Sequence, residues 1–317
     1  MTFPRELFHY TGDAGLMGIL TTQTIRSTHI SFLNDSQEHI GYFNTRLPEI
    51  LYQLADKYVE SLGDCPTYPF LNGYVVKEGA SDSIVKNIRE DLLARNTDRL
   101  ITFVTSFCTA DDPAVRKHGL LSQWRGYGAN GGYALVFDAE ELQTMVRQLQ
   151  SRFALAVSSL HKVLYAQRTR EVALPIEGLE TCWEDVFNHY TNSASPADEE
   201  ATFRAINALP AIYKHWGFDE EREWRFVLCL PAPKYKDFMP DTTQGLPLLP
   251  IENFHRDGID VPYVTLFGKE HWKLPVKRII VGPHPFQSQK VKSLDLKLQQ
   301  MGLDIPVHAS GIPFRGR

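Results

Sequence analysis

The stretch from Phe218 to Leu230 constrains this chain more than any other. Between Arg222 and Leu230, Trp224, Phe226 and Leu228 alternate with Glu223, Arg225 and Val227, the period of two that marks a strand. In a strand entered at about Glu221, Glu221, Glu223 and Arg225 share one face, and Arg222, Trp224 and Phe226 share the other. Two carboxylates and a guanidinium on one strand face are an unusual choice for a core. Like charges two residues apart raise at least one carboxyl pKa while Arg225 holds the other ionised, which lets two acids take different roles. The competing reading is a strand edge rising from a solvated loop, where paired surface charges contribute little.

Around this stretch the pattern is mixed. Leu7 to Tyr10 reads as a strand, Asp13 starts a helix carrying Leu16, Met17, Ile19 and Leu20, and Thr24 to His29 returns as a strand. Ser31 to Asp35 is a turn into a long amphipathic helix with Ile40, Phe43, Leu47, Ile50, Leu51 and Leu54 on its apolar side. Asp35 and Glu38 have the form of a capping box there. A helix Ser81 to Arg95, a strand Leu100 to Cys108, a helix Gly119 to Tyr127 and a strand Tyr133 to Phe137 follow. Asp138 and Glu141 cap a helix to about Val157, and a strand Lys162 to Tyr165 comes next. Two helices, Leu179 to Tyr190 and Ala197 to Lys214, lead to the 222–230 strand. The proline- and glycine-rich stretch Pro231 to Asp260 reads as a long loop. Strands Val261 to Leu266 and Lys277 to Val281, a helix Gln287 to Met301 and a strand Ile305 to His308 close the chain. Without regular βαβ alternation, α+β is favoured over a doubly wound sheet. No linker separates two domains, so residues 1–317 are expected to form one domain with a helical insertion at about 36–95.

Composition narrows the partners. The 33 Lys+Arg against 38 Asp+Glu give a net charge of −5, so duplex nucleic acid could be held only in a local basic cleft. Cys65, Cys108, Cys182 and Cys229 are widely spaced and read as reduced thiols. No leader-like apolar core occurs near Met1, and no run approaches the roughly 18 apolar residues of a membrane span. These features predict a cytoplasmic protein without a membrane partner.

The sequence contains no GxxxxGK[ST], HExxH, GxSxG or EF-hand pattern. Gly126 to Gly132 lies between a helix and a strand, the reverse of a dinucleotide fingerprint, and reads as a turn. His9, His29, His39 and His118 are too scattered to suggest a zinc site, and no metal ligand is assigned. Two further clusters stand out. Leu7-Phe8-His9-Tyr10-Thr11-Gly12 precedes a helix start at Asp13, where free backbone N–H groups could receive a diphosphate. Ser106 is a small polar residue in an apolar strand, and Trp124 and Tyr127, three apart on a helix, could form a stacking surface for a nucleobase or nicotinamide, or simply belong to the core.

Together these clusters resemble a bacterial family known as a domain of unknown function (number 2971), whose members begin with a His-Tyr-Thr motif. The matching stretches are Leu7 to Thr11, Ser31 to Asp35 with Glu38, Thr105-Ser106-Phe107 with Trp124 and Tyr127, Gly131 to Ala134, Lys214-His215 to Arg225, and Ile279 to Pro283. The order of elements is also similar to that of ADP-ribosyltransferases of the His-Tyr-Glu branch. That resemblance implies a split, mostly antiparallel sheet and NAD as the substrate, with a protein or nucleic acid as the acceptor, in the manner of toxins or phage-defence effectors. It further implies that His9 bonds a ribose hydroxyl and that Glu223, or Glu221, steadies the ribose as it becomes cationic. An aromatic among Phe107, Trp124 and Tyr127 would stack on nicotinamide. Tyr10, Thr11 and Ser106 would help to hold the dinucleotide, and Arg225 or Arg125 would meet its diphosphate. Two other classes fit the same residues: a nucleotide or nucleic-acid binding module without turnover, and a phosphodiester hydrolase in which Asp35, Glu38, Glu221 and Glu223 gather a divalent ion.

Overall fold

The structure, a computed structural model, describes residues 3–33, 40–64, 67–70, 73–76, 78–127, 131–166, 182–192, 199–238 and 245–313. In chain order the elements are β1 (Glu6–Thr11), α1 (Asp13–Thr22), β2 (Thr24–His29), α2 (Ile40–Asn44), α3 (Arg46–Ser61), β3 (Thr67–Phe70), β4 (Gly73–Val76) and α4 (Ala80–Asp98). The middle of the chain supplies β5 (Leu100–Cys108), α5 (Pro113–His118), α6 (Leu121–Tyr127), β6 (Tyr133–Asp138), α7 (Ala139–Gln150), β7 (Val157–Lys162) and β8 (Leu164–Tyr165). Then come α8 (Cys182–Asn192), α9 (Glu199–Ile212), β9 (Tyr213–Lys214), β10 (Glu223–Pro231), β11 (Ile251–Arg256), β12 (Ile259–Phe267), β13 (Val276–Val281), α10 (Gln287–Gln300) and β14 (Val307–Ala309).

The fold is α+β with a mostly antiparallel sheet; among the described strands only β13–β14 and β8–β9 pair in parallel. The strand expected at 222–230 is an interior strand rather than an edge. All nine residues of β10 are buried, and they pair with β5 along one side and with β7 along the other. The solvated-edge reading of Glu223 and Arg225 is therefore overturned.

The sheet forks on the far edge of β5. β2 meets β5 only at Thr28↔Val104 and His29↔Phe103, while β1 meets it only at Phe8↔Cys108. β1 and β2 both run antiparallel to β5 and share that edge, so they splay beside Thr105, Ser106 and Phe107. One branch continues to β12 and β11, the other to β6, β13 and β14.

Strand alternation sorts the core. Leu7, Phe103, Phe107, Leu135, Trp224 and Phe226 face α1, α7 and α10 on one side of the sheet. On the other side, Val104, Val227 and Cys229 are covered by α2, α3, α4, α8 and α9, while Phe8, Tyr10, Cys108 and Val136 are covered by Trp124 of α6. Ser106, Glu223 and Arg225 lie on this same face, between its two apolar clusters.

Several elements differ from the pattern-based reading. The long amphipathic helix is two, α2 and α3, broken at Thr45, whose backbone leaves the helical region and whose N–H and hydroxyl both donate to Gly41 O. Between Cys108 and Gly119, where the pattern gives no element, the chain forms α5, with Pro113 at its start and Asp112 accepting from the Ala114 and Val115 N–H groups. The 139–157 helix stops at Gln150, and β7 takes up its last expected residue. The Pro231–Asp260 loop contains β11, which turns back into β12 through Asp257 and Gly258, both at positive φ (51° and 85°). Asp-Gly is the pair that a two-residue hairpin turn demands. Asp35 and Glu38, and the expected helix start at Ala197, lie outside the described residues.

α6 is seated by Gly119, whose φ of 77° is left-handed and where a Cβ would stand 2.6 Å from the Trp124 ring. Gly119→Ala is expected to cost more than the roughly 1–2 kcal/mol of a left-handed alanine alone. Gly18→Ala, in open space on α1, should instead be neutral or stabilising by about 0.5–1 kcal/mol. Chemical denaturation of the two variants distinguishes them; equal effects would contradict this packing.

Candidate functional site

A groove of about 390 Å³ opens over the fork. Its floor comes from alternate residues of three strands: Phe8 and Tyr10 of β1, Val104, Ser106 and Cys108 of β5, and Glu223 and Arg225 of β10. α6 forms one wall with Ser122, Gln123, Gly126 and Tyr127. A second comes from Lys214 of β9 with Phe218 and Glu221 of the 3-10 turn Trp216–Glu221, and a third from Arg26 and Thr28 of β2 with Arg256 of β11.

The turn into β10 sets the charged residues. Arg222 adopts the left-handed conformation (φ 46°), which ends the 3-10 turn and delivers Glu223 into the sheet. Tyr165 Oη accepts from the Glu223 N–H at 2.8 Å. Glu223, only 2% exposed, then meets three donors: Arg225 Nε on Oε1 at 2.8 Å, and Lys214 Nζ (2.9 Å) and Arg225 Nη2 (3.2 Å) on Oε2. Lys214 Nζ also donates to Glu221 Oε2 at 2.8 Å and lies 4.6 Å from the centre of the Phe218 ring. Arg225 Nη1 donates to Ala211 O at 2.8 Å, at the end of α9. Two acids and two bases thus form one buried cluster. Burial pushes the Glu223 carboxyl up, but Arg225 and Lys214, helped by the Ser106 side chain, outweigh it and hold the pKa near 2. Lys214 moves upward: its two glutamates overcome the burial that would favour the neutral amine.

His9 alternates to the opposite side of β1 from Phe8 and Tyr10, its ring 5.8 Å from that of Phe107, and it reaches the groove at the fork beside Ser106. Its Nδ1 lies 3.0 Å from Ser106 O; because a carbonyl only accepts, Nδ1 carries the proton. Burial lowers the imidazole pKa against the smaller opposing effect of that bond, so the ring is neutral and Nε2 keeps its lone pair. Nε2 has no hydrogen-bond partner among the described residues.

The candidate residues divide. His9, Tyr10, Ser106, Tyr127, Glu221, Glu223 and Arg225 line the one groove. Trp124 does not: it is fully buried, donates from Nε1 to His118 O and packs edge-on against Tyr10 at 4.8 Å. Its size and its place between β1 and Gly119 make it core, so Tyr127 alone of the pair faces the groove, 46% exposed. Phe107 points to the opposite face of the sheet, against Phe137. Thr11 lies outside the groove with its hydroxyl over Gly15, and the Asp13 carboxylate at the start of α1 is taken by Tyr133 and Lys290. Arg225 lines the groove, yet its guanidinium is committed to Glu223 and Ala211 O, which removes it from a diphosphate-binding role. Arg125 is not part of the lining.

Pattern reading missed Lys214, Arg26, Arg256, Ser122 and Gln123. Lys214 was attributed to a helix C-terminus, but α9 ends at Ile212 and Lys214 belongs to a two-residue strand paired with β8. Its spacing of seven and nine residues from the two glutamates was the available signal. Arg26 stacks on Tyr263 (4.5 Å) and Arg256 donates to Phe32 O at 2.6 Å, contacts made across β12 or the fork that local sequence does not announce.

Among the described residues no three His, Cys, Asp or Glu side chains stand together as a metal site. Asp35 and Glu38 lie outside them. Cys108 and Cys229 are buried free thiols, and burial, followed by the nearby glutamates, raises the Cys108 thiol pKa. Among the described residues no helix is long and apolar enough to cross a membrane.

The fold and groove define an α+β protein with a forked sheet and a charged cleft at the fork. A family model described as protein of unknown function (DUF2971) matches residues 123–226. This is shorter than the span from Phe8 to Pro283 suggested by the motifs, and it takes in α6 from Gln123 onward, Lys214, Glu221, Glu223 and Arg225. No curated protein and no solved structure matches the chain.

The depressed Glu223 pKa has a pH consequence. Against an unfolded value near 4.5 and a folded value near 2, its stabilisation is fully present above about pH 5 and lost as pH falls through 2. The stability difference between the native chain and Glu223→Gln, measured by denaturation at stepped pH, should shrink across that window. A difference that stays constant from pH 6 to pH 2 would refute the assignment.

Proposed function

We propose that the groove binds NAD and that the chain is an ADP-ribosyltransferase-like enzyme acting on a protein or nucleic-acid acceptor. What supports this reading is one juxtaposition: a neutral histidine with a free acceptor nitrogen and an ionised glutamate cluster flank the same residue, Ser106, although His9 and Glu223 are far apart in sequence. In the reaction the glycosidic bond from ribose C1′ to nicotinamide breaks with its electron pair going to the ring nitrogen. An acceptor atom then bonds C1′ and gives up a proton. His9 Nε2 accepts from a ribose hydroxyl and orients the sugar. Glu221 presents the negative charge: one of its oxygens is held by Lys214, while Oε1 has no partner among the described residues. Glu223 is the deeper member that keeps Lys214 in place. Tyr127 or Phe218, both exposed at the rim, offers a ring for stacking, and Arg26 with Arg256 takes the diphosphate role expected of Arg225.

Following nicotinamide release from NAD, with and without protein and RNA acceptors, tests the reading. Glu221→Gln should reduce release by roughly 10²–10³-fold, as removal of one fixed electrostatic group does, measured at a temperature where circular dichroism shows the variant still folded. NAD binding without release in the native chain would make this a binding module instead, and full activity in Glu221→Gln would remove that residue from the mechanism.

A further inference from the structure

Two adjacent side chains on the α6 wall make no hydrogen bond to a described residue, and the polar atom of one of them is fully buried. Ser122 Oγ is buried and makes no hydrogen bond, the one such side-chain atom among the described residues. Gln123 is 4% exposed and lines the groove, and its amide bonds no described residue. Buried polar groups are nearly always satisfied, and leaving one unmet is costly, which holds for the Ser122 hydroxyl; Gln123 lies on the groove wall. Neither residue is needed to hold the helix, because α6 is pinned by Trp124 Nε1 to His118 O (3.0 Å) and by the Leu120 N–H to Tyr10 Oη (2.9 Å). Beside them, Gly126 leaves open space where a side chain would stand, and Tyr127 presents its ring at the rim.

We propose that Ser122 and Gln123 form a ring-recognition subsite for a planar heterocycle whose edge carries a hydrogen-bond donor beside an acceptor. A glutamine amide offers an N–H donor and a carbonyl acceptor side by side, and the edge that completes both is either a carboxamide or the amino and ring-nitrogen pair of adenine. Ser122 Oγ supplies a third bond. The open flank at Gly126 lets the ring approach the helix backbone, and Tyr127 covers its face. The subsite rests on the NAD reading in that both kinds of edge occur at the two ends of that molecule.

Ligand-observed NMR titration of the full chain with nicotinamide, and separately with adenosine, tests it. One of the two should bind, and which one assigns the subsite to that end of the dinucleotide. Gln123→Ala and Ser122→Ala should each weaken that fragment by roughly tenfold or more. Ser122→Ala carries a second signature. Without ligand its thermal midpoint should be unchanged or higher, since an orphan hydroxyl has been removed, whereas a structural role would lower it. Failure of both fragments to bind the native chain, or binding that is indifferent to both substitutions, overturns the proposal. Gln123-dependent fragment binding in a protein that releases no nicotinamide from NAD would leave the subsite standing and remove the transferase reading alone.

Discussion

The cluster of Glu223, Arg225, Lys214 and Glu221 is the constraint on which the rest of the groove depends. Three charges taken out of water, those of Glu223, Arg225 and Lys214, are tolerated only when paired, with Glu221 at the rim balancing the set, since each ion is costly to bury and attraction offsets that cost only in good geometry. Meeting this condition fixes more than the side chains. Lys214 must leave the end of α9 and extend as β9, the 3-10 turn must bring Glu221 back toward the sheet, and Ala211 O must stay within reach of Arg225. The helical layer and the sheet are thereby joined at one edge of the cleft. An apolar replacement could make the same join equally stable, but it would not leave an ionised carboxylate at the groove floor.

The fork is the second determinant. An antiparallel strand offers each neighbour a continuous edge, yet β5 divides its far edge between β1 and β2. What would have been ladder positions at Thr105 to Phe107 are served by other groups. The His9 ring takes the Ser106 carbonyl, and the Thr105 hydroxyl meets Ser27 Oγ at 2.6 Å and donates to Arg26 O. Polar side chains thus gather where the strands part, because backbone groups left without a strand partner still require one.

Much of this was legible in the sequence. The alternation in 222–230 identified a strand with Glu223 and Arg225 on one face, and the strands at Thr24–His29 and Leu100–Cys108 follow from pattern alone. His9, Ser106, Tyr127, Glu221 and Glu223 could be singled out because each is a polar or exposed departure from its local period. Trp124 could not be told from a stacking residue, since burial of an aromatic depends on what packs over it, here β1 and Gly119. Lys214 was hidden by a helix that ends two residues early, and Arg26 and Arg256 by partners more than 200 positions away. The hairpin at Asp257-Gly258 was readable but was masked by the prolines and glycines around it.

The interior position of β10 bears on what the family match means. The matched stretch, residues 123–226, carries all four members of the charged cluster but only the first residues of β10 and none of β5, with which all nine residues of β10 are paired. It also lacks β1 and β2, the two arms of the fork. The similarity unit is therefore not a folding unit. Cut free, it would offer its lysine, arginine and glutamates to water, with neither floor nor far wall, and the cleft would exist only as a collective property of strands drawn from both sides of the matched segment.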